Sequence, residues 1–325
     1  MAGLWTLFAI DQSEEIACGS DCESIETLNA SVLPRSLSRT LSTRNVPGLA
    51  GLLLFISVAV LPVVFSLGYA AAYSLGLVGL LSDGFTLEHW ALLATPSEIW
   101  FSFGWSLYVA GATVALTLGL ALPLALGLRR TLQDGPLGTI LYFPLAIPAT
   151  VAAFLVFQWF SGAGYAARIA YHAGFITSVQ AFPDLVNDPW AIGIILAHVG
   201  LAVPFFTLLF RQIYVSEHID RLLQVAGALG GTRRQHLARV ALPILWHKAR
   251  TNVVLFFIAV LGSYEIPLLL GQQSPQMVSV LTMRKYSLFD VTDKPEAFIL
   301  ALLYTVLVGL LLGVTFRRGD GAFDL

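Results

Sequence analysis

Gln224 to Pro243 reads QVAGALGGTRRQHLARVALP, the most polar long stretch in the second half of the chain, with hydrophobic runs on both sides of it. Leu222, Leu223, Ala226 and Leu229 recur at three- and four-residue spacing, which lines one face of a short amphipathic helix. Gly230 and Gly231 then stop that helix, because glycine accepts a left-handed turn at little cost. Thr232 with Gln235 three residues on is a capping-box pattern that starts a second helix. Pro243 stands where this helix meets the next apolar run, and is expected to bend or restart the chain. The stretch therefore reads as a helix, a Gly-Gly turn and a helix held at a membrane surface, in the form of a docking knob.

Lipid is the solvent that the flanks require. Hydrophobic residues make up 57% of the chain and charged residues only 12%, half the share of an ordinary soluble domain, and the mean hydropathy is +0.77. Segments of roughly 48–70, 102–128, 137–160, 189–210, 250–270 and 297–316 are each long and apolar enough to cross a bilayer. This predicts an all-α integral membrane protein with six transmembrane helices. Pro62, Pro123, Pro148 and Pro204 fall inside them, which membrane helices tolerate when neighbours satisfy the freed carbonyls. Gly111, Gly119, Ala121, Ala125 and Gly127 suit close helix packing.

With the N-terminus inside, only Arg168, Arg284, Lys285 and Lys294 of the 18 Lys and Arg fall in outer segments. Both termini and the loop 212–246 are therefore expected on the cytoplasmic side. Residues 1–46 lack the basic start and long apolar core of a cleavable signal and read as a disordered cytoplasmic tail; 319–325 form a short C-terminal tail. Cys18 and Cys22 read as free thiols rather than a metal or disulfide pair. Outer segments 161–188 and 271–296 are expected to hold short helices or re-entrant pieces.

The central stretch resembles the EAA loop in the permease subunits of binding-protein-dependent type I ABC importers. That pattern runs Glu-Ala-Ala, three residues, Gly, nine variable residues, then an apolar residue before Pro. Gln224, Val225 and Ala226 stand at its first three positions, Gly230 at its glycine, and Leu242-Pro243 at its end. Gln at 224 and Val at 225 depart from it, so an ion pair made by the family glutamate does not carry over. The similarity covers about 47–316, a six-helix permease domain within 47–318; residues 79–101 resemble the short segment before the second core helix. Since the family-like sequence begins only near Pro47, an upstream start codon is another reading of 1–46. Phe143–Phe154 (FPLAIPATVAAF) and the run from Gly262 to Gly271 also resemble the subgroup that imports polyamines, ferric ion, thiamine or similar small polar solutes.

The resemblance implies the rest of the machine. It implies two ATP-binding subunits that hold ATP and Mg and seat the 220–243 loop, with Ala226 on the docking face. It also implies a second permease subunit, copy or paralogue, and an extracytoplasmic binding protein, all at a bacterial inner membrane. No nucleic-acid partner and no cofactor in this chain are expected, since the sequence has no G-x-x-x-x-G-K-[ST], no H-E-x-x-H and no C-x-x-C. Nor does any nucleophile elbow appear, so the chain is not read as an enzyme.

Ionisable groups at membrane depth are costly and mark pathways by default. Glu265, after Tyr264 in the outer half of the fifth segment, is either a pathway group or a packing carboxylate. His198, midway along the fourth, reads first as a neutral histidine bonded to a carbonyl and second as a pathway group. A secondary transporter driven by an ion gradient is the alternative; it usually shows several intramembrane acids, and Glu265 is nearly alone.

Overall fold

A computed structural model describes residues 51–79, 84–91, 98–128, 136–288 and 294–317. Both predicted tails, 1–46 and 319–325, lie outside the described residues. The chain divides into two units, residues 1–67 and 68–325. In the first, the described part is one apolar helical stretch whose side chains are exposed from Gly51 to Ser66. It belongs to α1, Gly51–Ser74.

Among the described residues nine further helices follow: α2 (Glu98–Gly127), α3 (Ala149–Phe160), α4 (Tyr165–His172), α5 (Ile192–Ser216), α6 (Ile219–Ala228), α7 (Arg233–Leu261), α8 (Glu265–Leu270), α9 (Val278–Ser287) and α10 (Lys294–Arg317). Single turns at Glu88–Ala91, Pro136–Ile140 and Pro144–Ala146 complete the described helical elements of note. The described residues contain no strand. Six stretches of the described residues are long and apolar enough to cross a membrane: α1, α2, Ala149–His172, α5, α7 and α10. The chain is an all-helical, multi-pass membrane protein.

Two predicted segments prove to be broken, each at a proline. In the third, Ile147 is extended (φ −81°, ψ 122°) because Pro148 after it disfavours helical backbone, so 137–160 is two pieces. The fifth predicted segment, 250–270, ends at Gly262 and restarts at Glu265. Pro267 is the physical reason: in a continuous helix its ring would meet the carbonyl of Ser263, four residues back. Here that carbonyl accepts the Ser279 hydroxyl of α9 instead, and Pro267 sits harmlessly in the first turn of α8. Pro243 does not restart the chain. Leu237–Ala241 adopts one wide π turn, the Leu242 N–H reaches back to the Leu237 carbonyl, and the proline is accommodated without an interruption. Helix then runs unbroken from Arg233 to Leu261.

Lipid tails are as apolar as leucine, so these helices are held by close packing rather than by escape from water. Alanines set the distance: Ala110, Ala121, Ala153 and Ala249 are fully covered. Around Ala121 and Ala249 gather Phe206, Phe210, Ile219 and Leu245, which join α2, α5, α6 and α7 beneath the 224–243 stretch. At the other end, Ser102 Oγ donates to the Gln276 carbonyl (2.6 Å) and Ser106 Oγ accepts from the Val278 N–H (2.8 Å). These two serines, one turn apart on α2, pin the start of α9. Asp188 caps α5, accepting from the N–H groups of Trp190 and Ile192 (3.0 Å each) and Gly193 (3.4 Å).

Candidate functional site

The Gln224–Pro243 stretch folds largely as its sequence requires. Ile219, fully buried, anchors α6 against α5 and α7, and the Tyr214 hydroxyl donates to Asp220 in the first turn (2.8 Å). Gly230 and Gly231 follow with φ +88° and +107°, the left-handed region that side chains disfavour. The Thr232–Gln235 capping box forms in both directions, Thr232 N–H to Gln235 Oε1 (2.9 Å) and Gln235 N–H to Thr232 Oγ1 (3.4 Å). A clasp that sequence did not indicate closes the turn: His236 Nε2 lies 2.9 Å from the Gly230 carbonyl. A Cβ on Gly231 would come within 3.0 Å of that same nitrogen, whereas Gly230 is surrounded by open space.

The apolar face expected from Leu222, Leu223, Ala226 and Leu229 is two faces. Leu223 and Ala226 are half-buried, and Leu223 packs on the core beneath. Leu222, Val225 and Leu229 point outward at 43%, 63% and 85% exposure. Ala226 stands on the half-buried side with Leu223. Gln224 is exposed and borders a polar cavity of about 280 Å³ shared with Asp220, Arg233 and His236. At the far end, Leu242 and Pro243 are exposed.

The other residues singled out by sequence fall into two settings. Tyr264 and Glu265 sit together at the break in the fifth segment, both exposed. His198 is 7% exposed, and its Nδ1 lies 2.9 Å from the carbonyl of Ile194, one turn back in its own helix. It takes its polar contact from within α5, and nothing groups it with Tyr264 and Glu265. Sequence reading missed the aromatic residues near the break, Tyr286, Phe298 and Tyr304, which lie on two further elements and form no periodic pattern. Among the described residues, no three His, Cys, Asp or Glu side chains come together as a metal site would need.

Comparison with known proteins agrees with this architecture. Residues 115–318 match the family of binding-protein-dependent transport system inner membrane components, and the chain belongs to that family. It is a permease of binding-protein-dependent import, a transport component rather than an enzyme. No curated protein matches the chain. Among solved structures it is similar to a bacterial ABC transporter involved in the import of the acidic polysaccharide alginate. There the identity is 16%, with 86% of this chain and 95% of that chain covered at a TM-score of 0.62. A second similar structure is the bacterial alginate ABC transporter in complex with an alginate pentasaccharide-bound periplasmic protein (17% identity, 82% and 90% covered, TM-score 0.60). At such identity the likeness is one of fold.

Proposed function

We propose that this permease subunit is coupled to two ATP-binding subunits, which hold the ATP and Mg, through its 220–243 loop. With a second permease subunit, a copy or a paralogue, it forms the route for a solute delivered by an extracytoplasmic binding protein. The membrane is the bacterial inner membrane, with both termini and the loop on the cytoplasmic side. The observation that carries the coupling role is the outward row of Leu222, Val225 and Leu229 on a helix whose other side is packed. Three apolar side chains along the exposed edge of a short polar-flanked helix are what a helix offers to a partner's groove.

The cargo reading is a small polar solute such as a polyamine, ferric ion or thiamine, with Tyr264 and Glu265 on the route and His198 in the wall behind. An exposed carboxylate at membrane depth supports a cation better than an acid. It also weighs against transferring the acidic cargo of the structural neighbours to this chain. Co-expression with candidate ATPase and binding-protein subunits tests both parts. Co-purification of the ATPase reads the coupling, and mass spectrometry of the solute held by the binding protein reads the cargo. A transport-competent subunit that never retains an ATPase overturns the proposal.

A further inference from the structure

The outward row of Leu222, Val225 and Leu229 has charged neighbours on both sides. Arg221 comes directly before it, and Arg233, Arg234 and Arg239 follow the glycine turn; all four side chains are exposed. From Arg221 to Arg239 the chain carries these four positive charges and no Asp or Glu, against a net charge of −2 for the whole protein. The run without an acid continues to Tyr264, and Asp220 before it already accepts the Tyr214 hydroxyl.

Elsewhere basic side chains find their counter-charge within the chain. Lys248 pairs with Glu217 at 2.8 Å, Lys285 with Glu296 at 2.6 Å and Arg284 with Glu98 at 2.5 Å. Among the described residues, none of Arg221, Arg233, Arg234 and Arg239 makes an ion pair. Two of them are also held in place. The Thr232–Gln235 capping box and the His236 clasp on the Gly230 carbonyl keep Arg233 and Arg234 close to the end of α6. An apolar strip with charges at its margins is one half of an interface that has a dry centre and a polar rim. Guanidinium groups meet carboxylates in a two-pronged geometry, which suits them to such a rim.

Anionic lipid is the competing source of negative charge beneath a membrane. Helices seated in the headgroup layer are anchored by Trp and Tyr. The loop from Ile219 to Pro243 contains neither, and Trp246, exposed on α7, comes only after it. The balance favours a protein surface.

We infer that the ATP-binding subunit receives this loop in a groove rimmed by carboxylates, so that ion pairs of the coupling contact run from arginines of this chain to Asp or Glu of the ATPase. The inference rests on the coupling reading and adds the chemistry of the partner to it. Rim charges of this kind steer association and select the partner more than they add affinity. The arginines thus favour an ATPase with an acidic rim over one whose groove is neutral or basic.

The test uses the full-length permease purified in detergent with the ATP-binding subunit co-expressed beside it. Arg233→Lys with Arg234→Lys keeps the charge and supplies amines, which a carbodiimide joins, with loss of water, to a carboxylate in contact. Mass spectrometry should find an amide between position 233 or 234 and an Asp or Glu of the ATPase. Retention of the ATPase should stay within about twofold in that variant and fall at least about tenfold in Arg233→Glu with Arg234→Glu, at equal amounts of inserted permease. It should also weaken several-fold between about 50 and about 500 mM NaCl, as salt screens the rim. Three results overturn the inference: no amide to an ATPase carboxylate, retention unchanged by the glutamate substitutions, or a loss seen in phosphatidylglycerol nanodiscs and absent from phosphatidylcholine ones, which assigns the arginines to lipid. If Leu229→Glu still releases the ATPase in those cases, the coupling reading stands without its acidic rim. An unaltered permease that retains no ATPase overturns the coupling reading itself, so the two failures are told apart.

Discussion

The hydroxyl of Tyr304 occupies the point where a Cβ on Gly262 would stand, and the ring carbon that bears it lies 2.9 Å from that point. The residue that caps the end of α7 is thus fitted to a ring on α10. Gly262→Ala should lower the melting temperature of the detergent-solubilised protein, by a loss of about 1–3 kcal/mol for overpacking. Gly262→Ala combined with Tyr304→Leu should recover most of that loss, since neighbouring substitutions of this kind do not add. Equal losses in the single and double variants would show that the contact does not limit the packing.

Coupling is expected to depend on the outward edge of α6. Leu229→Glu and Val225→Glu should leave the amount of inserted subunit unchanged while ATPase co-purification and solute-stimulated ATP hydrolysis fall at least about tenfold, as truncation of anchor residues does. Ala226→Glu should in addition reduce inserted protein, because Ala226 is half-buried on the Leu223 side. Normal ATPase retention in both Leu229→Glu and Val225→Glu would remove this loop as the coupling element.

The two glycines of the turn should behave differently. Gly230→Ala has room for its methyl group and should cost only the left-handed backbone, about 1 kcal/mol. Gly231→Ala pays the same and must also displace His236, opening the clasp on the Gly230 carbonyl. Limited proteolysis of the loop should therefore be faster in Gly231→Ala than in Gly230→Ala; the reverse order would discard the clasp.

Gln224→Glu, which restores the residue of the related loops, should be tolerated. Its carboxylate would share the small cavity with Arg233 and His236 as well as with Asp220. Transport and ATPase retention within about twofold of the unaltered chain are expected, the size of an ordinary surface substitution. A severe loss would mean that Asp220 dominates the cavity.

Asp188→Ala should destabilise the chain without touching the loop. Three backbone N–H groups at the start of α5 would lose their acceptor, at a cost of about 0.5–2 kcal/mol. The check is thermal unfolding alongside ATPase retention: a lower melting temperature with undiminished retention is expected.

Local chemistry was legible in the sequence wherever one residue decides the outcome. The glycine pair, the capping box and the number of apolar spans needed only the residues themselves. Questions of facing were not. Leu222 and Leu223 are adjacent and chemically identical, and only the position of α5 and α7 beneath them makes one exposed and the other packed. Prolines were ambiguous for the same reason. Pro243 is absorbed by a π turn, while Pro267 ends a helix because Ser279 stands ready to take the carbonyl it frees. The aromatic cavity beside the break joins residues from that break, α9 and α10 and had no signature along the chain.

The wide turn that absorbs Pro243 has a mechanical meaning. Because helix continues from Arg233 to Leu261, the second half of the loop and the inner part of the fifth span form one rod of roughly 40 Å. Its lower tip carries the capping box and its upper tip ends at Gly262, against Tyr304. Under the proposed coupling, a tilt imposed at the capping-box end would travel along this helix toward Gly262, and the break there would let the six residues of α8 stay with α3 and α5, against which they pack.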